Sequence, residues 1–261
     1  MDTLATDILI IVKNGDAENG IEFLLRWAHV LVGIAWIGLL YYFNFVQVPA
    51  FADLDAGARN QAVDKLASRA LWWVRWAAAA TFAFGIMILF AQKDGAGDPL
   101  AMNGDYWKTA PGISISTGML LGITMFANVW LVIWPNQRTV IANARNVLAG
   151  GEADPTAAAA GRKALLASRQ NTIFSFTMLF FMVGTSHFFG SFFESAPSGS
   201  DRAIYWLITL AIWLVLELNC LGIIGGTDPG GPRVIYDTHK HAIITGLVLV
   251  VVWYLLWVIL F

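Results

Sequence analysis

Six long apolar segments constrain this 261-residue chain more than any other feature of its sequence. A helix needs about 20 mainly apolar residues to cross a bilayer. The stretches that reach this length are residues 21–48, 70–91, 113–134, 171–189, 203–224 and 242–261. Hydrophobic residues make up 57% of the chain and charged residues only 13%, which is typical of a polytopic membrane protein. The sequence therefore predicts an all-α integral membrane protein, a bundle of six transmembrane helices that forms a single membrane domain over residues 1–261.

Composition excludes several other classes of protein. The net charge of −2 argues against a nucleic-acid partner. A single cysteine, Cys220, rules out an internal disulfide, and no CxxCH sequence is present for covalent attachment of haem c. Residues 1–16 lack the basic region and the cleavage site of a signal peptide. We expect them to form a short interfacial helix over residues 3–14.

The connections between the segments alternate between basic ones and acidic or neutral ones. The basic residues concentrate after the first, third and fifth segments, at Arg59, Lys65, Arg69, Arg75, Arg138, Arg145, Arg162, Lys163, Arg169, Arg233 and Lys240. The other connections are acidic or neutral and rich in glycine and proline. Because basic loops face the cytoplasm, the pattern predicts a multi-pass protein of the bacterial cytoplasmic (inner) membrane with both termini outside.

The cytoplasmic connections are themselves rich in residues that favour helices. RNQAVDKLASRALWWVRW and TAAAAGRKALLASRQ contain strong helix formers. We expect helices two and four to extend well beyond the membrane on this side. Helix three is expected to continue past Pro135, with a kink at the proline.

Two histidines fall at comparable heights in the outer half of the predicted bundle. His29 lies roughly 12 Å into helix one, and His187 lies near the outer end of helix four, which runs the opposite way. Trp36 shares a helix face with His29, and Arg26 lies one turn outward, where it can pair with a carboxylate or a haem propionate. Ionisable groups inside a membrane usually face the bundle and mark a site. The residues predict a b-type haem with His29 and His187 as axial ligands and Arg26 and Trp36 beside it.

A second polar set falls toward the cytoplasmic side. Its members are Arg75, Asn128 and Glu217, and we expect them to be structural or proton-handling. A carboxylate at this depth must be paired or protonated, so Arg75 is the expected partner of Glu217. His239 and His241 lie on the same side, in a polar loop where solvation is the simpler interpretation.

Each of these residues also has a purely structural interpretation. His29 can be a buried histidine that bonds to a neighbouring helix, and His187 an interfacial histidine at a helix end. Arg75 and Glu217 can form an inner-leaflet ion pair without a chemical role. Tryptophan is common in interfacial belts, and small glycines such as Gly33 allow close helix packing.

Four segments resemble a known family. RWAHVLVGIAWIGLLYYF, VRWAAAATFAFG, NVWLVIWPNQRTVIA and SRQNTIFSFTMLFFMVGTSHF are similar to the membrane domain of bacterial membrane-bound urate oxidases of the PuuD type. The resemblance covers residues 20–190 and is weaker from helix five onward. The matching positions are Arg26, His29, Trp36, Asn128, Trp134, Asn136, Gln137, Asn171 and His187.

The resemblance implies a membrane oxidase whose electrons leave through a cytochrome c domain fused at the C-terminus. This chain departs from that pattern, since it ends at Phe261 and contains no CxxCH. We therefore expect a separate electron acceptor, such as a periplasmic cytochrome c or a respiratory complex. A urate anion would need a cation and amide donors, for which Arg26, Asn171 and Gln137 qualify by type.

Three functions remain open at this point. The first is a membrane redox protein, urate oxidase-like, that binds haem b. The second is a non-catalytic accessory subunit of a larger membrane complex, whose partners are the lipid bilayer and other membrane subunits. The third is a transporter or channel, which discontinuous helices and midplane charge pairs would indicate.

Overall fold

Long helices carry nearly all of the chain in the computed structural model, which describes residues 17–93, 97–193 and 196–261. Six of them are long and apolar enough to cross a membrane: α1 (Gly20–Asp53), α2 (Ala56–Ala91), α3 (Ala110–Leu148), α4 (Ala157–Phe192), α5 (Gly199–Cys220) and α6 (His239–Leu260). A further helical turn from Ala17 precedes α1. The predicted six-helix membrane fold is confirmed, whereas the helix expected over residues 3–14 lies outside the described residues.

Side-chain caps fix where several of these helices begin. Thr109, Ser198 and Thr238 each accept a hydrogen bond from a backbone N–H in the first turn of α3, α5 and α6. Asp55 does the same for α2. A cap of this kind satisfies one of the N–H groups that a helix start leaves without a partner.

The expected helical extensions are present on α2, α3 and α4. α2 begins at Ala56, α3 continues past Pro135 to Leu148, and α4 begins at Ala157. We call the end of the bundle that carries them the extension end, and the opposite end, which carries His29 and His187, the histidine end.

Helix α5 begins and ends four residues earlier than the sequence predicted, since it starts at Gly199 rather than at residue 203 and ends at Cys220 rather than at residue 224. Gly222 adopts a φ of +76°, and the N–H groups of Gly222 and Ile223 bond back to Asn219 and Leu218. This is the Schellman arrangement, in which a glycine ends a helix by taking the left-handed conformation. Apolar composition alone does not reveal it, since Ile223 and Ile224 continue the hydrophobic run.

α4 lies at the centre of the bundle. Its residues 171–175 are fully buried on every face, and α3 and α6 approach it closely. An ideal Cβ placed on Gly246 of α6 would lie 2.5 Å from the ring of Phe176 and 3.0 Å from the carbonyl oxygen of Ile173. Gly118 of α3 faces Phe181 and Met182 in the same way, at 3.4 Å. These small residues let the helix backbones come together, as is common in membrane bundles.

Four of the six long helices described above change to π-helical winding over about one turn. The π-helical segments are Tyr42–Gln47 in α1, Val63–Ala67 in α2, Asn128–Ile133 in α3 and Thr185–Phe189 in α4. Such segments are uncommon and often occur at functional sites. Three of them lie at the extension end, and the fourth contains His187.

Candidate functional site

His29 is held at the interface between α1 and α2. Its ring is partly buried, and its Nδ1 lies 2.9 Å from the carbonyl oxygen of Thr81. Gly85, one turn further along α2, makes room for the ring, since an added Cβ would lie 3.3 Å from its Cε1. A hydrogen bond from Nδ1–H to a carbonyl fixes the tautomer and leaves Nε2 as the free nitrogen, which is the usual state of a metal-bound histidine. This contact is therefore consistent with a histidine that only joins two helices and also with a histidine that binds haem through Nε2.

Arg26 pairs with Glu22 on its own helix. Its guanidinium lies 2.6 Å from the Glu22 carboxylate, one turn earlier along α1, and its side chain remains 41% exposed. The expected carboxylate partner is thus an intrahelical one.

His187 lies on an exposed face of α4, within the π-helical segment Thr185–Phe189. The described residues provide no hydrogen bond to its ring. Val183 and Leu179, one and two turns away on the same helix, are also exposed. No other described helix therefore covers this face of α4 beside the histidine.

The two histidines lie at matching heights but without a described contact. The hydrogen bonds and ring contacts between α1 and α4 involve Tyr41 and Asn44 on α1, including the stacking of Tyr41 on Phe176. His29 is about 18 Å along α1 from Tyr41, and His187 about 16 Å along α4 from Phe176, by the rise of a helix. The structure brings neither imidazole to the other, and the haem that would bridge them stays a prediction.

The inner polar set is brought together only in part. Asn128 donates a hydrogen bond to Asn171 over 3.1 Å and lies 3.4 Å from the Glu217 carboxylate. Asn171 in turn donates to the Met125 carbonyl. Asn128, Asn171 and Glu217 thus join α3, α4 and α5 through amide hydrogen bonds rather than through charge pairs.

Arg75 is not the partner of Glu217, and that part of the prediction is wrong. Its guanidinium carbon lies 3.7 Å from the ring centroid of Trp134 and 5.3 Å from that of Trp130. Among the described residues no ion pair joins it to a carboxylate. A guanidinium over an indole face is stabilised by the ring quadrupole, and here the tryptophans come from α3, which packs beside α2.

A buried arginine on α4 connects three elements of the fold. The sequence analysis did not identify this residue as part of the site. Arg169 is only 2% exposed. Its Nε donates to the Asn44 side chain over 3.0 Å and its Nη1 to the Tyr236 carbonyl over 3.1 Å. The sequence analysis counted Arg169 among the loop cations, since a basic residue near a predicted helix end looks solvated.

Tyr236 lies in the short helix Val234–Asp237 that precedes α6, next to Arg169. Burial raises the pKa of its phenol above the ordinary value, so the hydroxyl keeps its proton. The phenol donates to the Gln170 side-chain oxygen over 2.6 Å. His241, expected to be solvated, contacts the Val234 carbonyl oxygen through Nδ1 at 2.8 Å.

A cavity of about 220 Å³ lies at the extension end between α1, α2, α3 and α4. Trp36 and Gln47 of α1, Gln137 of α3 and Ser168 of α4 supply its polar groups, and the remaining lining is mostly aliphatic or aromatic. Trp36 is 3% exposed, yet its Nε1 has no hydrogen-bond partner in the described structure, and neither has Gln47 Oε1. Trp36 therefore belongs to this cavity, although the sequence analysis placed it beside a haem.

Comparison with known protein families gives a match for this chain. Residues 106–217 match the family described as urate oxidase N-terminal. The match covers α3, α4 and most of α5, less than half of the chain, and includes Gln137, Asn171 and His187. It confirms the resemblance over this range and extends it into α5, where the sequence analysis found it weaker.

The other comparisons give no further relative of the chain. Neither a curated protein nor a solved structure matches it. His29 and Trp36 lie before the range that matches the urate oxidase N-terminal family, so their roles depend on the geometry described above.

Proposed function

We propose that this chain is a redox protein of the bacterial inner membrane, related to the membrane part of urate oxidases, that binds a b-type haem through His29. The observation that carries the proposal is the state of the His29 ring: Nδ1 is bound to the Thr81 carbonyl, and no hydrogen bond among the described residues involves Nε2, the nitrogen that a metal would take. The family match over residues 106–217 supports an oxidoreductase in preference to a transporter.

The residues at the histidine end fit such a group. His187, at the same height on α4 and with no hydrogen bond to its ring from the described residues, would hold the group together with His29. Arg26, exposed beside its Glu22 partner, would offset the charge of a propionate. When bound, the haem would supply a one-electron carrier for transfer to a separate cytochrome c or respiratory complex. The chain's own contribution is to fix the imidazole tautomer and to hold the ring against Gly85.

The absorption spectrum of the purified protein tests this proposal. We expect a Soret band in the wild type, its complete loss in His29→Ala, and its retention in His241→Ala, whose ring contacts the Val234 carbonyl at the other end of the bundle. His187→Ala should change the spin state or abolish the band. A colourless wild-type protein that co-purifies with other membrane subunits would contradict the proposal and favour the accessory subunit.

We further propose that both termini face the outside of the cell. The supporting observation is that Arg59, Lys65, Arg69, Arg138 and Arg145 all lie at the extension end. Basic residues next to membrane spans are retained in the cytoplasm.

Cysteine labelling in intact cells tests this orientation. The natural Cys220 is buried, so single engineered cysteines can be followed against a low background. Ser200→Cys, at the histidine end, should react with a membrane-impermeant maleimide, whereas Ala153→Cys, at the extension end, should react only after lysis. The reverse pattern would show that the topology is inverted.

A further inference from the structure

The cavity at the extension end combines features that a packing defect does not have. Three of the four helices around it change to π-helical winding where they line it, contributing Phe43 and Gln47, Val63 and Ala67, and Val129 and Ile133. A π-helical segment interrupts the regular i→i−4 hydrogen bonds and is retained mostly where function requires it. Convergence of three such segments on one cavity indicates a built site.

Two polar atoms of residues that line this cavity have no hydrogen-bond partner among the described residues. The Trp36 indole N–H is a donor only, and Gln47 Oε1 is an acceptor. A buried polar group without a partner costs free energy, so a native chain usually satisfies such groups with a ligand or with water. A ligand needs an acceptor to satisfy the indole N–H, and it needs a donor as well to satisfy the Gln47 oxygen; a quinol has both, whereas an oxidised quinone has only the acceptor.

Charge and size narrow the class of ligand. None of the described side chains that line the cavity is charged, so an anion such as urate would be desolvated there without a counter-charge. The volume of about 220 Å³ lies below the roughly 300–1,000 Å³ of pockets for drug-sized ligands. One substituted ring fits this volume, whereas a haem does not.

From these features we propose that the cavity binds the ring of a quinone or quinol, a neutral flat ring with oxygens on two opposite edges. The Trp36 N–H donates to a ring carbonyl, and Gln47 Oε1 accepts from a ring hydroxyl when the reduced form is bound. The aliphatic and aromatic lining, with Leu40 and Phe43 of α1 among it, contacts the ring faces. Such a ring reaches membrane helices from the lipid phase. The assignment is independent of the proposed haem, which lies at the other end of the bundle.

Binding of ubiquinone-0, the ubiquinone head group without its isoprenoid tail, tests the assignment in nanodiscs, with empty nanodiscs as the background. We expect saturable binding to the wild-type protein in isothermal titration. Trp36→Phe should weaken binding of the quinone about tenfold, the effect of one lost hydrogen bond of about 1.4 kcal/mol. Gln47→Met should weaken binding of the reduced ring by a similar factor, because it removes the acceptor at nearly constant volume.

Trp130→Phe is the matched control, since Trp130 also has a buried N–H without a partner in the described part of the chain but is not among the residues that line the cavity. Its affinity for ubiquinone-0 should equal that of the wild type. The same affinity in His29→Ala would separate this site from the haem proposal. Absence of saturable binding would show that the cavity holds water, and equal weakening in Trp36→Phe and Trp130→Phe would show a general packing effect. Displacement of ubiquinone-0 by urate would show that the ligand is an anion. Each of these last three results overturns the quinone assignment.

Discussion

Gly246→Ala is expected to destabilise the protein by about 2–3 kcal/mol, the cost of overpacking a close-packed core. The added methyl group would lie 2.5 Å from the Phe176 ring and 3.0 Å from the Ile173 carbonyl oxygen. Phe176 cannot move away without losing its stacking on Tyr41, whose ring centroid is 5.8 Å away. The carbonyl belongs to the fully buried part of α4 and cannot move without shifting the central helix.

Thermal denaturation in detergent measures this effect. By the usual scaling for chains of this size, a loss of about 2 kcal/mol lowers the midpoint by about 4–8 °C. Gly38→Ala is the control, because Gly38 is also within a membrane helix but an added Cβ there meets nothing within 4 Å. Its midpoint should stay the same or rise, as expected for alanine in a helix. Equal midpoints for Gly246→Ala and the wild type would show that α4 and α6 are packed less closely than described.

The number of spans and their extensions could be predicted because they depend on composition over many residues. Twenty apolar residues in a row indicate a membrane helix whatever their order, and runs rich in alanine, lysine and arginine continue it. The end of α5 could not be predicted in this way, because one glycine at position 222 decides it through its backbone conformation.

The candidate site was predicted less completely, since it depends on which faces of different helices meet. Residue spacing placed His29 and His187 at similar heights, but the partner of His29 is a backbone carbonyl of α2, which no side-chain pattern reveals. Arg75 was assigned to Glu217 by depth alone, whereas Trp134 lies closer on the neighbouring helix. The π-helical segments around the cavity have no sequence signal of their own, although Trp36 and Gln137 were noted through the family resemblance.

The contacts of Arg169 are another case that the sequence does not reveal, and their loss is expected to affect stability strongly. A guanidinium buried at 2% exposure must have its N–H groups bonded, and here the acceptors are the Asn44 amide oxygen and the Tyr236 carbonyl. One side chain thereby connects α4, α1 and the short helix before α6. Among the described residues no carboxylate forms an ion pair with it. Its role is therefore to satisfy two buried acceptors.

Arg169→Met should lower the free energy of unfolding by about 2–4 kcal/mol, because it leaves these two acceptors buried without donors. The gain from no longer desolvating a charge offsets part of this cost. Denaturation midpoints in detergent, with Arg138→Met as the control at an exposed position, measure the difference.

The double variant Arg169→Met with Asn44→Leu separates loss of hydrogen bonding from loss of shape. Replacing both partners of a buried hydrogen bond by apolar groups is much less costly than removing one of them. If the hydrogen bond to Asn44 carries the effect, the double variant should be more stable than the sum of the two single losses predicts, by about 1 kcal/mol or more. Simple additivity would show that the bond to Asn44 does not carry the effect, which would then come from the Tyr236 carbonyl or from packing. A wild-type midpoint in Arg169→Met alone would show that the arginine reaches solvent instead of these acceptors.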